Sequence, residues 1–332
     1  MRYLRSIFPA IVLSFVFGTV IAQQVPVYSQ YIMNGFLINP SLAGLDGYTT
    51  IGLTVREQWV GLVGAPSTYA ASFQTRILKD SYISKATSVK KKIVKPTKGG
   101  NVGLGGYVFN DNNGIMHRTG INAAYAYHIP MGQSNGITNN LSFGLSFTAY
   151  QYLVNIKGSI YDPDDPLLNS FDRVTFIPDF NFGASYTTSK YYVGFAMTNL
   201  LRGSLLFTDT SKTGRTELGN YYLTGSIKFP LAPDWTLEPS VLLKSSDMFF
   251  KSFQADITSR FYYKNDYWIG LSWRTGDAII VMMGLKYDHF YFAYAYDITL
   301  TDIRQQSFGT HELTLVFKFG ESARRYRWLN AY

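Results

Sequence analysis

The sequence predicts an all-β protein, a transmembrane outer-membrane β-barrel with about 14 antiparallel strands. Aromatic residues make up 17% of the 332-residue chain and charged residues only 16%, whereas soluble domains carry roughly 25% charged residues. After residue 22, no apolar run approaches the roughly 20 residues that a membrane helix needs. Instead, segments of about ten residues alternate between apolar and polar side chains, which is typical of barrel strands.

Residues 1–22 are predicted to be a signal peptide. Arg2 and Arg5 form its basic start, residues 7–21 form its apolar stretch, and Val20 with Ala22 supply the small residues of a cleavage site. The chain contains no cysteine, so we expect no lipid anchor after Ala22. An exported protein without disulfides must be held together by its own fold.

Residues 23–46 precede the first alternating strand and are too apolar to be a simple leader. They contain the turn-forming pairs Asn39-Pro40 and Ala43-Gly44, which suit the end of a folded segment. We expect this stretch to form a plug in the periplasmic mouth of the barrel; the alternative is a surface linker. The residues predicted to form the plug are Tyr28, Tyr31, Phe36, Leu37, Ile38, Asn39, Pro40 and Leu42.

The predicted barrel covers residues 47–319, and its alternation is clearest in the second half. In the segment from Trp235 to Lys244, the odd positions are apolar and the even positions are mostly polar, including Glu238. Residues 267–274 and the last strand, which leads to Phe319, repeat this pattern. Because the outer face of a barrel meets lipid, the polar set is predicted to face the lumen.

The segments number about 14, and single-chain bacterial barrels have an even number of strands. With the N-terminus in the periplasm, every second connection lies on the periplasmic side, where turns are short. The connections that fall on this side include four short ones, at residues 187–190, 230–233, 263–266 and 288–289. The opposite side receives mostly longer connections, as in outer-membrane barrels. A soluble β-sandwich is the alternative fold.

Charged side chains on the inward phase of these strands are interpreted as lumen structure rather than as chemistry. If the hairpin at residues 245–251 is tight, Glu238 lies opposite Arg260, and Lys244 lies near Gln254 or Asp256. Such pairing gives a buried charge a partner. The predicted lumen charges are Glu238, Lys244, Asp256, Arg260, Arg274 and Glu312.

Two basic stretches are predicted on the periplasmic side. Residues 78–100 contain seven lysines and one acid, Asp80, and the tail at residues 320–332 contains three arginines. A solvated insertion is the alternative interpretation of the first stretch. Nucleic acid is not expected as a partner in this compartment, whereas lipid head groups or an acidic protein face suit a basic surface. The residues predicted to dock a periplasmic partner are Lys90, Lys91, Lys92, Lys95, Arg324, Arg325 and Arg327.

Short motifs follow one another in a specific order along the chain. They are YSQY (28–31), INPSLAG (38–44), REQWVGLVGAP (56–66), SFQT (72–75), GLGGYVFNDNNG (103–114), AYAYH (124–128), PDFNFG (178–183), YYVGFAMTNL (191–200), EPSVLLK (238–244) and GTHE (309–312). In this order they resemble the PorP/SprF family of outer-membrane proteins, which is associated with the type IX secretion system of Bacteroidetes. The departures from the family pattern lie mainly in the lysine-rich stretch and in the tail after Phe319.

The resemblance implies a role in secretion or cell-surface attachment of cargo that carries a type IX C-terminal domain. It also implies cooperation with a periplasmic ring or peptidoglycan-binding components and, in gliding species, with the adhesin machinery. The expected partners are therefore outer-membrane lipid, secreted cargo with a type IX C-terminal domain, and periplasmic type IX or peptidoglycan-binding components.

A second functional class remains open, a barrel resembling fatty-acid channels that takes up small hydrophobic molecules past the plug. No catalytic residue, cofactor or metal site is expected. The chain has no cysteine and only four histidines, which are dispersed, and it contains neither a GxSxG nucleophile elbow nor a P-loop.

Overall fold

A computed structural model describes residues 28–77, 101–134, 137–154, 174–201, 219–246 and 253–319. Most of its regular structure is antiparallel β-strand, with one α-helical turn (Gly35–Ile38) and two 3-10 turns (Pro40–Leu42 and Asp302–Gln305). In these described ranges, no helix has the length and apolar character needed to cross a membrane. The strands are β1 Thr49–Glu57, β2 Ser67–Ile77, β3 Val102–Asn113, β4 Met116–Ser134, β5 Ile137–Val154, β6 Val174–Thr187, β7 Tyr191–Thr198, β8 Asn220–Ile227, β9 Phe229–Ala232, β10 Trp235–Ser245, β11 Phe253–Tyr263, β12 Tyr267–Arg274, β13 Ala278–Tyr287, β14 Phe290–Thr299 and β15 Thr310–Phe319.

The strands form one closed antiparallel barrel. Each strand pairs with its neighbours in the chain, and β1 pairs with β15 from Thr49↔Phe319 to Glu57↔His311, which closes the ring. The segments β8 and β9 are two parts of one interrupted strand, because both pair with β10 and only Lys228 separates them. The barrel therefore has 14 strands, and the predicted fold class is confirmed.

The side chains alternate between the two faces of the wall, as the sequence predicts. In β12, the apolar odd positions are exposed and the even positions, among them Ser272 and Arg274, are buried. The same alternation in β1 exposes Leu53 and buries Arg56. An apolar outer face and a polar inner face are what a barrel in lipid requires.

The hairpin of β4 and β5 is longer than the sequence predicts. Residues 119–128 and 140–151 show the clear alternation, but β4 has 19 residues and β5 has 18. Pairing of β4 with β3 stops at Tyr127, and pairing of β5 with β6 stops at Asn140. The hairpin continues to the pair Ser134↔Ile137 and so projects beyond the rim. A register shift lies between Pro130 and Gln133, in the part of the hairpin that the alternation does not predict.

The interrupted strand corrects a second boundary. The alternation predicts one strand at residues 218–229 followed by a turn at 230–233, whereas Phe229–Ala232 still pairs with β10. The register shifts between Trp235 and Thr236. Pro230 has no N–H to donate to the ladder, which makes this part of the strand irregular.

The two ends of the barrel differ in their connections. At one end, short turns join β6 to β7, β11 to β12 and β13 to β14, and β1 begins and β15 ends there. Positive φ angles at Lys264, Asn265 and Asp288 mark two of these turns. We call this the turn end and the opposite one the loop end; the sequence assigns the turn end to the periplasm.

Candidate functional site: an occupied lumen

Residues 28–48, called here the lumenal segment, lie inside the barrel. At the turn end, Asp46 forms an ion pair with Lys318 of β15 (Oδ2 to Nζ, 3.0 Å). Halfway along, the Tyr31 hydroxyl lies 3.1 Å from Ser240 Oγ and 3.2 Å from Thr258 Oγ1. The Ser29 amide reaches Glu312, near the loop-end terminus of β15. The segment thus extends deeper than the periplasmic mouth that the sequence predicts; that it blocks passage stays a prediction.

Glycines of the barrel wall allow the middle of the lumenal segment to approach closely. A Cβ added at Gly183 would overlap Asn39 Oδ1, and one at Gly144 would overlap the Pro40-Ser41 peptide. Likewise, a Cβ at Gly103 would overlap the Ala43 carbonyl, and a Cβ at Gly105 would overlap the Phe36 ring. We call these four residues the glycine cradle, because a residue with a Cβ atom at any of the four positions would collide with the lumenal segment.

Polar contacts fix the segment within this cradle. The side-chain nitrogen of Asn39, Nδ2, donates to the backbone carbonyls of Ala184 (3.4 Å) and Phe195 (3.3 Å). Asn39 Oδ1 accepts from the Ser41 amide at 3.0 Å, and Ser41 Oγ lies 2.8 Å from Ser185 Oγ. These bonds satisfy polar groups that are buried beside the wall, which is necessary for stable burial.

His128 adds a further contact at the same level. Its Nε2 lies 3.0 Å from the Ala43 carbonyl and its Nδ1 lies 2.8 Å from Ser142 Oγ. Because the carbonyl only accepts, Nε2 carries the proton and donates it. The INPSLAG motif is therefore joined to the wall by side-chain and backbone groups alike.

A buried ionic cluster holds the beginning of the lumenal segment. Arg56 contacts Glu312 (Nη1 to Oε2, 2.9 Å) and Asp297 (Nη2 to Oδ2, 2.9 Å). The Glu312 carboxylate accepts hydrogen bonds from the Ser29 and Gln30 amides at 2.7 and 2.9 Å. Ser29 Oγ donates to Asp297 and accepts from Arg56. We call Arg56, Asp297, Glu312 and Ser29 the Arg56 cluster. Its hydrogen bonds involve charged groups, and such bonds are stronger than those between neutral groups.

The six lumen charges predicted from the sequence are all buried. Arg274 forms a two-pronged pair with Asp256 (2.8 to 3.1 Å), and Arg260 contacts Glu238 at 3.1 Å. The register places Glu238 opposite Arg260, and Lys244 opposite Gln254, which is the pairing expected for a tight hairpin.

Sequence reasoning missed the partners of Glu312, namely Arg56 and Asp297. A signal for both exists, since each is a charged residue on the inward phase of its strand, next to small polar or alanine positions. It also missed the glycine cradle, because nothing local distinguishes a glycine that faces the lumen from one that breaks a strand.

Of the predicted plug residues, Tyr31, Phe36, Asn39 and Pro40 are buried, and the other four are partly buried. The predicted signal peptide and the predicted docking residues Lys90, Lys91, Lys92, Lys95, Arg324, Arg325 and Arg327 lie outside the described residues.

Two cavities flank the lumenal segment. The first, of about 110 Å³, lies towards the loop end and has a mixed aromatic and polar lining that includes Tyr28, Tyr107, Arg118 and Tyr222. The second, of about 100 Å³, lies towards the turn end, and Ile32, Phe36, Leu42 and Leu45 contribute to its more apolar lining. In the part of the chain that the structure describes, no group of three or more His, Asp or Glu side chains is placed to hold a metal ion.

Comparisons with known proteins give a family match and two structural similarities. The profile of the type IX secretion system membrane protein family PorP/SprF matches residues 20–317. The fold is similar to outer membrane protein Omp33 of Acinetobacter baumannii (TM-score 0.42, 7% identity, 82% of this chain and 100% of that chain). It is also similar to the toluene transporter TbuX of Ralstonia pickettii (TM-score 0.42, 10% identity, 86% and 93%). Among curated proteins, none matches this sequence.

Proposed function

Because this chain belongs to the PorP/SprF family of type IX secretion system membrane proteins and is an outer-membrane barrel, we propose that it is a closed platform for cargo. In this role it supports the export or cell-surface anchoring of proteins that carry type IX C-terminal domains. In gliding species, such cargo would include the gliding adhesin.

The lumenal segment is the observation that supports this proposal. It is attached to the wall at three levels, by Lys318, by the glycine cradle and by the Arg56 cluster. A cargo chain cannot share the lumen with a segment held in this way, because a segment that left the lumen would take the Ser29 and Gln30 amides away from the buried Glu312 carboxylate. Cargo is therefore expected to dock at the loop end instead of passing through the barrel.

We also propose that the turn end docks periplasmic type IX or peptidoglycan-binding components. The predicted basic stretches at residues 78–100 and 320–332 belong to this end by strand order. The projecting hairpin of β4 and β5 lies at the same end. A long hairpin beside basic residues suits a partner with an acidic face.

Uptake of small hydrophobic molecules is the competing function. The more apolar cavity towards the turn end favours it, but residues of the lumenal segment line both this cavity and the one towards the loop end. Measuring conductance in planar bilayers tests whether the lumenal segment closes the lumen. We expect the wild-type barrel to conduct poorly and a variant lacking residues 28–38 to conduct well, because the platform is closed by this segment.

The decisive experiment is affinity purification of the tagged barrel from outer membranes. Recovery of a protein with a type IX C-terminal domain, or of periplasmic type IX components, supports the platform. A matched preparation lacking residues 78–100 should retain the cargo and lose the periplasmic partner. A barrel that is recovered alone, filled with bound lipid, would contradict the proposal and favour uptake.

A further inference from the structure

The lumenal segment has a direction, and its contacts with strand β15 show it. This strand runs from the loop end to the turn end. Ser29 donates its backbone amide to Glu312 (2.7 Å), near the loop-end terminus of β15. Asn34 donates its side-chain Nδ2 to Thr314 Oγ1 (3.1 Å), which lies further towards the turn end. The first residues of the segment therefore lie in the loop-end part of the lumen, and the chain descends from there.

The segment reaches the turn end at its other terminus. The Gly44 amide donates to Gln74 Oε1 (3.1 Å), and Asp46 pairs with Lys318 (3.0 Å), next to the final residue of β15. The chain then enters β1 at Thr49, which is paired with that final residue. The segment thus crosses the lumen once, from the loop end to the turn end.

Distances along the barrel axis constrain the residues that precede Tyr28. Glu312, at the level of Ser29, lies two residues from the loop-end terminus of β15 and seven from its turn-end terminus. At about 3.3 Å per residue and a tilt of about 40°, these separations correspond to roughly 5 and 18 Å along the axis. Cleavage after Ala22, as the sequence predicts, would leave five residues before Tyr28, and five residues span about 18 Å when fully extended. Only a straight run down an empty lumen could bring them back to the turn end, and the lumenal segment occupies that path.

The loop end, in contrast, offers a way out of the lumen. Tyr28 lines the cavity of about 110 Å³ on this side, and so does Arg118. The Arg118 side chain is 25% exposed, and this residue lies close to Met116, the loop-end terminus of β4. Solvent therefore reaches the cavity from the loop end, and the chain that precedes Tyr28 can leave the lumen there.

We propose that the mature N-terminus is presented on the loop-end side of the membrane, as a chain end that proteins outside the cell can reach. Because β15 ends at the turn end, the two termini of the mature chain then lie on opposite sides of the membrane. The strand count requires only that β1 begins on the periplasmic side, so the assignment of the turns is unchanged. This placement does not depend on the platform function, because it follows from the direction of the lumenal segment.

The test compares three tagged forms of the full-length protein in whole cells. One epitope tag is inserted between Gln24 and Val25, which keeps the predicted cleavage site intact. The same tag after Arg304, which is exposed in the 3-10 turn between β14 and β15, marks the loop end. A third form carries the tag after Lys264, which is exposed in the turn between β11 and β12, and marks the turn end.

Antibody should bind the N-terminal tag and the Arg304 tag equally on intact cells, and the Lys264 tag only after the outer membrane is permeabilised. The proposal is overturned if the N-terminal tag behaves like the Lys264 tag, or if it is hidden both before and after permeabilisation. N-terminal sequencing of the purified barrel should begin at Gln23. An uncleaved chain would also overturn the proposal, because its additional residues would be long enough to return to the turn end.

A second measurement avoids the tag, which could draw the segment out of the lumen. The chain has no cysteine, so Val25→Cys can be spin-labelled together with either Arg304→Cys or Lys264→Cys in the purified barrel. Electron paramagnetic resonance should give the shorter distance for the pair that includes Arg304→Cys. The reverse order of the two distances would contradict the proposal. Cargo recovery in the purification experiment is unaffected by either outcome.

Discussion

Glu312 connects the barrel wall to the lumenal segment through a single carboxylate. It bonds to Arg56 on the adjacent strand and to two consecutive backbone amides of the segment. Because this carboxylate is fully buried, its charge depends on these partners. The side chain therefore stabilises the wall and the segment together.

Replacing this carboxylate should destabilise the whole barrel. Glu312→Gln keeps the shape of the side chain but leaves Arg56 with one carboxylate fewer, and we expect the free energy of unfolding to fall by about 3 kcal/mol. Urea titration in detergent measures this change. Asp288→Asn is the control, because among the described residues Asp288 forms only an exposed pair with His289, and the change should alter stability by less than about 1 kcal/mol. Equal stabilities of the two variants would contradict the role given to Glu312.

The glycine cradle can be tested by adding a single methyl group. Gly183→Ala would force Asn39 off the wall, at a cost of about 1–3 kcal/mol, and should expose the lumenal segment to chymotrypsin. In Gly225→Ala the new Cβ would meet its nearest neighbours at 3.8 and 3.9 Å, which is ordinary contact, so cleavage should stay slow. If both variants resist chymotrypsin equally, close packing at Gly183 does not hold the segment.

The extent to which this site was predictable depends on the distance in sequence between partners. Glu238 and Arg260 belong to one hairpin, so counting along two adjacent strands predicts their pairing. Arg56 and Glu312 are 256 residues apart, and they meet because the first and last strands close the ring in one register. That register is set by the tilt and closure of the whole sheet, which a local pattern does not contain.

At the scale of elements, the β4–β5 hairpin carries its own protection against wrong pairing. Beyond the rim its outer edges lack ladder partners among the described strands, and free edges attract other strands. Pro130 removes one donor from the edge, and the irregular register after it twists the strand. The alternation of apolar and polar residues does not reveal this part of the hairpin, because the register shift interrupts it.

Shortening this hairpin should leave the barrel intact. If residues 131–139 are replaced by Asn-Gly, no pairing with β3 or β6 is lost, so the unfolding midpoint in urea should stay within error of the wild type. Co-purification of periplasmic partners should decrease if the hairpin takes part in docking. A strongly destabilised barrel would show that the projecting part is needed for folding.

On the scale of the whole molecule, the barrel and the lumenal segment form one folded unit. The wall provides the glycine cradle, and the segment provides groups that satisfy the Arg56 cluster. The alternation of the strands was predictable because lipid imposes it on every strand. The path of the segment was not, because its contacts involve strands from both halves of the chain.

A designed disulfide can show whether the segment ever leaves the lumen. The chain has no cysteine, and Ser41 Oγ lies 2.8 Å from Ser185 Oγ, so the double variant Ser41→Cys, Ser185→Cys should cross-link on oxidation. Conductance should be equally low before and after oxidation, with Ser41→Cys alone as the control. A conductance that falls only on oxidation would mean that the segment moves out in the reduced protein.

The unequal height of the wall has a consequence for the surrounding bilayer. β7 and β12 have eight residues each, whereas β4 and β5 have 19 and 18. A tilted strand of eight residues covers about 20 Å, less than the apolar band of about 25 Å that is usual for such barrels. Lipid beside β7 and β12 would therefore be compressed, and association relieves such mismatch. The positions of β7 and β12 in the wall are thus the places towards which the membrane itself would draw a neighbour.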